Sequence, residues 1–369
     1  MILARIVVAL PPVTLLLMGS TLLAVVLAIA ASPIVVRLAH RYAVLDVPGG
    51  RRRHYEPVPR AGGIAVAAAF GLTILVFWAV DRVAGHPFLI PEEVRTSRFT
   101  LTALAAAVGL VVGLLDDAFE LRARWQLLGH LAIAAVVVAA GIRIDFLTDP
   151  FGASGLVELA FPIAVGFTVF WVVGMNVALN FLDGLDGLAA GVALIAALTL
   201  GASALLPTVD EPFVTWMAFT LAGAVAGFLF FNLHPARLFL GTTGVTFLGT
   251  MLAVLSIFGT AKISTALLVL AIPIADTFNV LARRVLQRRP PFAPDRGHVH
   301  HRLLDLGLSH WQSVFLIYAA TCALAALTFV LSSAAQLAAF VGVVVLLALL
   351  VAAIPERDGP ASEELNRST

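Results

Sequence analysis

Eleven apolar segments constrain the fold of this 369-residue chain more than any other feature. They lie near residues 13–38, 61–80, 99–115, 126–141, 159–179, 187–206, 213–231, 243–259, 263–283, 313–333 and 335–354. Most have the length of a transmembrane helix, which needs about 17–25 apolar residues. Hydrophobic residues make up 60% of the chain and charged residues 12%, too little charge for a soluble protein of this size. The sequence therefore predicts an all-α polytopic integral membrane protein with about eleven transmembrane helices.

Basic residues are divided unevenly between the two sides of this predicted bundle. With eleven spans, 17 of the 23 Lys and Arg residues fall on the side that carries the C-terminus. Because cytoplasmic loops are enriched in basic residues, that side is predicted to be cytoplasmic and the N-terminus to be outside. A single transmembrane domain is predicted over 1–355, followed by a polar, disordered tail over 356–369.

The main polar clusters all fall in loops on this predicted cytoplasmic side. They read "DVPGGRRRHYEPVPRAGG", "GLLDDAFELRARWQ", "NFLDGLDGL", "FNLHPARLFLGTTG" and "RRVLQRRPPFAPDRGHVHHRLLDLG". The loops on the other side contain nothing comparable. Five separate clusters on one side predict a single active site at the cytoplasmic face.

Four carboxylates carry the chemistry predicted for this face: Asp116, Asp117, Asp183 and Asp186. The last two are the only charged residues between positions 159 and 209. A charge at the centre of a membrane costs about 2.5–3.5 kcal/mol on insertion scales, so such residues usually have partners and a function. Carboxylates beside a phosphate need a cation, and Mg²⁺ binds through one or two carboxylates plus phosphate oxygens. The nearby arginines suit further phosphate oxygens, so the clusters predict a diphosphate site with a metal ion.

Each cluster also has a simpler structural interpretation. An aspartate pair after a helix is often a solvated cap, and Asp183 with Asp186 could cap the helix that follows. The histidines of "HVHH" could bind phosphate or lie in an exposed loop, and zinc is disfavoured because no matching ligand set accompanies them. The triple-arginine run could bind anionic lipid headgroups. Asp276, inside a predicted span, is either a site residue or a partner of Arg283 or Asn279.

On these motifs the chain resembles the polyprenyl-phosphate N-acetylhexosamine-1-phosphate transferases, over about residues 37–311. "NFLDGLDGLAAG" is a near-complete match, while "DVPGGRRRH", "GLLDDAFEL", "FNLHPARLFLG" and "DRGHVHHRLLDLGLS" resemble the first-loop, aspartate-rich, nucleotide-side and histidine motifs. The H-x-H-H form is more similar to the branch that uses UDP-N-acetylglucosamine. The resemblance implies transfer of a sugar 1-phosphate from a UDP-sugar to undecaprenyl phosphate, with release of UMP, in cell-envelope polysaccharide synthesis.

The resemblance also implies a cofactor, partners and roles for individual residues. Mg²⁺ is the expected cofactor, with Mn²⁺ as an alternative. The expected partners are the UDP-sugar, undecaprenyl phosphate, the bilayer of the bacterial inner (plasma) membrane and, in a homodimer, a second copy of the chain; no nucleic acid is expected. The four aspartates would be catalytic, with Asp117, Asp186 and Thr242 nearest the metal. The residues expected to contact substrate are Asn180, Asn232, Arg296, His298, His300, His301 and Arg302.

Several positions depart from the family pattern. Thr242 stands where the family has an aspartate that is read as a magnesium ligand, and Val245 lies where a Gly-Ser pair is usual. Gln126 stands where a lysine is usual, and Val177 where an asparagine is usual. Glu120 replaces an Asp or Asn, a milder change. Since a hydroxyl is a weaker Mg²⁺ ligand than a carboxylate, the first of these departures bears most directly on metal binding.

Three functions are compatible with these residues. The first is a transferase in which the lipid phosphate attacks the β-phosphorus in a single displacement, chemistry that depends on positioning and charge neutralisation. The second is a family member that keeps the fold but has lost or altered the reaction and acts as a binding or assembly subunit. The third is a transporter with carboxylates near the membrane midplane, which the gathering of polar clusters on one side disfavours.

Overall fold

The computed structural model describes residues 12–46, 57–84, 90, 97–148, 156–258, 262–288 and 297–353. Its helices are α1 (Pro12–Arg41), α2 (Gly62–Ala84), α3 (Ser97–Phe119), α4 (Ala123–Ala139), α5 (Phe161–Leu182), α6 (Leu188–Ala204), α7 (Pro212–Asn232), α8 (Gly241–Ile257), α9 (Lys262–Val269), α10 (Ala271–Leu286), α11 (Val299–Asp305), α12 (His310–Thr328) and α13 (Ser333–Ala353). Two antiparallel pairs of short strands accompany them, β1 (Leu45–Asp46) with β2 (Val58–Pro59) and β3 (Phe146–Thr148) with β4 (Leu156–Glu158).

Every one of the eleven predicted segments contains a helix, and the all-α membrane architecture is confirmed. In the described residues, seven helices are long and apolar enough to cross a membrane, or eight spans if α9 and α10, which meet at a 75° bend, count as one. The remaining three, α4, α6 and α8, have 17 residues each, the lower end of the usual range. The number of spans therefore stays a prediction. The predicted tail over 356–369 lies outside the described residues.

Helix α8 forms the centre of the bundle, and 16 of its 17 residues are buried. It packs against α2, α3 and α5. A Cβ atom added to Gly113 of α3 would lie 2.5 Å from the Cα of Thr243, so the two backbones are in direct contact there. Small residues permit this kind of close approach between membrane helices. As a result, the first turn of α8 is fixed beside the last turns of α3.

Helices α1 and α7 pack together by the same device. A Cβ atom on Gly223 would lie 2.4 Å from the carbonyl oxygen of Thr21, and one on Gly227 would lie 2.4 Å from that of Val25. These two glycines of α7, about one turn apart, thus allow the backbone of α1 to pack closely against it. Helix α13, by contrast, packs at the periphery against α9 and α10 and leaves large aliphatic side chains exposed, as suits a lipid-facing surface.

The ends of the helices place the predicted polar loops together. The β1–β2 pair, the turn between α5 and α6, the segment between α7 and α8, and α11 all lie at one end of the bundle, where they contact one another. The β3–β4 pair lies at the opposite end of α4 and α5. For the described residues of these clusters, the prediction that they share one side is confirmed.

Candidate functional site

The segment 233–240, between α7 and α8, is hydrogen-bonded to the start of α2. The N–H of Phe239 donates to the carbonyl of Pro59 at 2.9 Å, and the N–H of Gly62 donates to the carbonyl of Phe239 at 2.9 Å. Gly241 follows with a φ of +72°, a left-handed conformation that glycine adopts without strain. This turn directs the N-terminus of α8 toward the carboxyl end of α3.

Asp117, on the last turn of α3, caps that N-terminus. Its Oδ1 accepts the backbone N–H of Thr242 at 2.9 Å, and its Oδ2 accepts the N–H and the hydroxyl of Thr243 at 2.8 and 2.6 Å. The guanidinium of Arg60 lies 3.6 Å from Oδ1. Orphan N–H groups and the positive end of the helix dipole stabilise a carboxylate at this position. The capping interpretation thus applies to Asp117, although the capped helix is α8 rather than a neighbour in sequence.

Asp116, the preceding residue, is held by a neutral amide. It is 6% exposed, and the side-chain nitrogen of Gln126 donates to its two carboxylate oxygens at 3.0 and 3.1 Å. The backbone N–H of Leu121 donates to Oδ1 at 3.1 Å. Gln126 is one of the departures from the family pattern, and here it forms the main contact of Asp116. The two aspartates of the pair therefore face different elements, α4 and α8.

Asp183 differs from the other three aspartates. It follows the last turn of α5, is half-buried, and accepts no side-chain hydrogen bond or ion pair from the part of the chain that the structure describes. Burial, and then the nearby charges of Asp117 and Asp186, raise its pKa to about 7, while Arg60 opposes the shift. This carboxyl group is therefore able to gain and lose a proton near neutral pH.

Asp186, three residues later, contacts two histidines. Its Oδ2 lies 2.7 Å from Nδ1 of His234 and accepts the N–H of Ala236 at 3.2 Å. Nε2 of His310 lies 3.2 Å from the backbone oxygen of Asp186. One ligand atom from each of Asp186, His234 and His310 lies within 4.8 Å of the others, a spacing that a metal ion could occupy.

The two imidazole rings of this group are stacked, with centroids 4.0 Å apart and an interplanar angle of 19°. The lone pairs of ring nitrogens lie in the ring plane, so those of His234 and His310 lie in two separate, nearly parallel planes, and one ion cannot lie in both. One ring would have to rotate before the group could bind a metal. In the present arrangement the group is a hydrogen-bonded network that holds the turn between α5 and α6.

Asn232 also supports that turn. Its Oδ1 accepts the N–H of Gly187 at 3.2 Å and its amide nitrogen donates to the carbonyl of Leu238 at 3.0 Å, so the side chain bridges two loops of the site. The hydroxyl of Tyr318, on α12, donates to the carbonyl of Gly187 at 2.5 Å. Asn180 is half-buried on the last turns of α5, beside Asp183. The predicted substrate contacts of Asn180 and Asn232 stay predictions.

The histidine segment, residues 298–301, packs against this turn. His298 pairs with Asp276, with Nδ1 and Oδ2 separated by 2.7 Å. Of the two interpretations given for Asp276, a site residue or a partner of Arg283 or Asn279, this contact with a histidine of the predicted site favours the first. His300 is 2% exposed, and a Cβ on Gly184 would lie 2.2 Å from its Nε2, so the ring rests on the backbone next to Asp183.

Burial, together with the neighbouring His301 and His298, lowers the pKa of His300 well below its usual value. His300 is therefore neutral at physiological pH and can contact a ligand only as a neutral donor or acceptor. His301 is half-buried and Arg302 is 4% exposed. Arg296, also predicted to bind substrate, lies outside the described residues.

Comparison with known proteins places this geometry in a family. Residues 99–260 match the family model described as glycosyl transferase family 4. A probable undecaprenyl-phosphate N-acetylglucosaminyl 1-phosphate transferase of Bacillus subtilis is 36% identical over 78% of this chain and 77% of its own length. This chain belongs to the polyprenyl-phosphate N-acetylhexosamine-1-phosphate transferase family.

Further relatives agree with this assignment. The decaprenyl-phosphate N-acetylglucosaminephosphotransferase of Mycolicibacterium smegmatis is 32% identical over 88% of this chain and 84% of its own length. The undecaprenyl-phosphate alpha-N-acetylglucosaminyl 1-phosphate transferase of Escherichia coli is 28% identical over 79% of this chain and 77% of its own length. Transferases of this family generally depend on a divalent metal ion. All three names describe an enzyme, which favours the transferase over a subunit without activity.

The structure shows how this transferase accommodates the residues that depart from the family pattern. Thr242 donates its backbone N–H to Asp117, so this interaction does not depend on the side chain at position 242. Val245 is buried within α8. Asn176, which precedes Val177, is fully buried and bonds Val172 and Thr250, so it braces α5 against α8 rather than facing the site.

Three residues of the site were missed by sequence reasoning. His234, His310 and Tyr318 hold the turn that contains Asp183 and Asp186, and none was singled out from the sequence. The two histidines did carry a signal, because both lie in polar loops predicted on the cytoplasmic side. Tyr318 carried none, because a tyrosine within an apolar helix has no feature that distinguishes it from a packing residue.

Proposed function

We propose that this protein transfers N-acetylglucosamine 1-phosphate from UDP-N-acetylglucosamine to undecaprenyl phosphate and releases UMP. The proposal is carried by the meeting of Asp117, Asp183 and the histidine segment at one end of the bundle. The names of the Bacillus subtilis and Escherichia coli relatives support both the sugar phosphate and the polyprenyl acceptor.

In the proposed reaction, an oxygen of the lipid phosphate attacks the β-phosphorus of the nucleotide sugar. A new P–O bond forms as the bond between the β-phosphorus and the bridging oxygen breaks, and UMP leaves with that oxygen. No group on the protein needs to become phosphorylated. Catalysis of this kind rests on placing the two phosphates in line and on offsetting their charge.

Asp183 is the group that we assign to proton transfer. A phosphate monoester loses its second proton near pH 6, and a carboxyl group with a pKa of about 7 is matched to accept it. Asp183 is also the aspartate whose oxygens are not committed to hydrogen bonds within the described residues. Asp116 and Asp117, in contrast, are held by Gln126 and by the start of α8.

Mg²⁺, or Mn²⁺, would offset the charge of the diphosphate and polarise the transferred phosphoryl group when bound. The donor set fits such an ion, because the carboxylates of Asp117 and Asp183 lie near enough to interact and both keep oxygen atoms that could coordinate it. Oδ1 of Asp117 accepts one short hydrogen bond and Asp183 accepts none from the described residues. Thr242 would add a hydroxyl, whereas Oδ2 of Asp186 already accepts two bonds.

The remaining charges suit the donor diphosphate. The guanidinium of Arg60, 3.6 Å from Asp117, is close enough to exchange that carboxylate for a phosphate oxygen. Neutral His300 offers a donor or an acceptor beside Gly184. We further propose that the protein lies in the bacterial plasma membrane with this end cytoplasmic, the N-terminus outside and the C-terminus inside, as the arginine distribution predicts. A homodimer stays a prediction.

The test is UMP release by the purified full chain in undecaprenyl phosphate-containing micelles, with UDP-N-acetylglucosamine and with Mg²⁺, Mn²⁺ or EDTA. The variant is Asp183→Asn, and the matched control is Asp145→Asn, which removes a carboxylate from the opposite end of the bundle. We expect metal-dependent release, reduced by about a hundredfold or more in Asp183→Asn and unchanged in the control. Retained binding of the nucleotide sugar without any UMP release would instead support the binding-subunit hypothesis.

A further inference from the structure

A buried carboxylate in the middle of α10 is bound at both oxygens by the start of the histidine segment. Asp276 is 3% exposed; its Oδ2 lies 2.7 Å from Nδ1 of His298, and its Oδ1 accepts the backbone N–H of Val299 at 2.9 Å. The second bond satisfies an N–H at the first turn of α11. Asp276 therefore determines where α11 begins.

The same contact determines which nitrogen of His298 carries a proton. An ionised carboxylate only accepts hydrogen bonds, so Nδ1 of His298 must be the protonated nitrogen. In the neutral ring Nε2 is then left with its lone pair, as a proton acceptor. A buried carboxylate that orients an imidazole in this way fixes both the tautomer and the ring plane.

The ring is confined on its other sides as well. The edge of Phe181 meets His298 with centroids 5.0 Å apart, and the ring of His300 lies parallel to that of His298 at 5.6 Å with an interplanar angle of 8°. His300 in turn rests on Gly184, next to Asp183. A displacement of His298 would therefore be passed to the turn that carries the proposed proton acceptor.

Gly297, the residue before His298, is also bound by a side chain of α10. The guanidinium of Arg283 donates to the carbonyl of Gly297 at 2.8 Å. Asp276 and Arg283 are seven residues apart, about two turns, so both project from one face of α10. Helix α10 thus binds three consecutive residues, Gly297, His298 and Val299.

From these contacts we propose that Asp276 is a positioning residue for the transferase reaction. It acts through His298 by holding Nδ1–H, which leaves Nε2 as a hydrogen-bond acceptor for an O–H or N–H group of the substrate. This role rests on the proposed function for its effect on rate, but the tautomer it requires can be measured without any turnover.

The tautomer is read by ¹⁵N NMR of the full chain with ¹⁵N-labelled histidine, in detergent. The chain has nine histidines, and His298→Gln identifies the signals of His298. We expect His298 to carry its proton on Nδ1 and to lose this preference in Asp276→Asn. A proton on Nε2 in the unmodified protein would overturn the proposal, whether or not the protein is active.

The rate measurement separates positioning from packing. We expect Asp276→Asn to lower kcat for UMP release by about ten- to a hundredfold while the KM for the UDP-sugar changes by less than about threefold. Asp276→Glu, which keeps the charge, should recover part of the rate. Thr277→Val, the matched control on the same turn, removes only a bond to Pro273 and should leave kcat unchanged.

A double-mutant cycle completes the test. If Asp276 acts through His298, then Asp276→Asn should change kcat by less than about twofold in a His298→Ala background. An equal loss in both backgrounds would mean that Asp276 serves only the packing of α10, and would overturn the proposal. Absence of UMP release in the unmodified protein would refute the proposed function alone, because the NMR result would still decide the tautomer.

Discussion

Asp117 accepts the backbone N–H of Thr242 at 2.9 Å, so a carboxylate from α3 caps the first turn of α8. Two parts of the chain that are 125 residues apart are joined at the point where the metal is proposed to bind. The bond uses the backbone of residue 242 and leaves its side chain free to vary. This explains how the scaffold of the site is kept in a chain with threonine at that position.

Thr242→Asp is expected to strengthen metal binding. The new carboxylate would stand beside Asp117, replacing a neutral hydroxyl by a charged oxygen ligand. We expect the Mg²⁺ concentration for half-maximal UMP release to fall by about tenfold, and the metal-free protein to unfold at a lower temperature because of like-charge repulsion. Thr242→Asn is the control, because asparagine has the shape of aspartate without its charge. Equal Mg²⁺ dependence in all three proteins would show that residue 242 does not contact the ion.

Gln126 is expected to be needed for the placement of Asp116. In Gln126→Leu, the buried carboxylate loses both amide bonds and, among the described residues, keeps its bond from Leu121. We expect a stability loss of about 1–3 kcal/mol, measured by chemical unfolding, and a kcat lowered by more than about tenfold. Gln126→Lys restores a donor and should retain most of the activity. A fully active Gln126→Leu protein would argue that Asp116 takes no part in the reaction.

Asp183 should make stability depend on pH in a known direction. Its pKa is about 7 in the folded protein and 3.8 in an unperturbed chain. Between these values the folded state holds a proton that the unfolded state has released, so the free energy of unfolding falls as the pH rises and levels off above about pH 7. The effect is read as the difference between metal-free Asp183→Asn and the unmodified protein in thermal unfolding across this range. Parallel curves for the two proteins would contradict the raised pKa.

Gly184→Ala should disturb the site without unfolding the helix bundle. The added Cβ would lie 2.2 Å from Nε2 of His300, so the ring must move. We expect kcat to fall by about a hundredfold, since small displacements at a reacting centre have effects of this size. Gly174→Ala, on α5 before this turn, is the control, because no atom lies within 4 Å of its added Cβ. Equal activity of the two variants would place His300 outside the reaction.

Sequence reasoning located the carboxylates because charge within an apolar region is conspicuous. Asp183 and Asp186 stood alone between positions 159 and 209, and membrane energetics alone pointed to a function for them. The grouping of loops on one side followed from counting spans. Both inferences depend only on local composition, which a sequence displays directly.

The partners of these residues could not be read in the same way. Asp276 and His298 are 22 residues apart in sequence, and the nearer Arg283 and Asn279 offered equally reasonable partners at helical spacing. The cap formed by Asp117 on α8 depends on the crossing of α3 and α8, which Gly113 permits. Tertiary packing determines these partners, and it leaves no periodic pattern in the sequence from which they could be predicted.

The order of the helices along the chain has a consequence for biosynthesis. The turn that carries Asp183 and Asp186 is tied by the hydroxyl of Tyr318 to the carbonyl of Gly187 and by His310 to the backbone of Asp186. Both contacts come from α12, which is synthesised more than a hundred residues after the turn. A nascent chain therefore inserts most of its helices before the turn gains these two contacts, and a chain truncated ahead of α12 would carry all four aspartates with the turn held by Asn232 and His234 alone among the side chains described above.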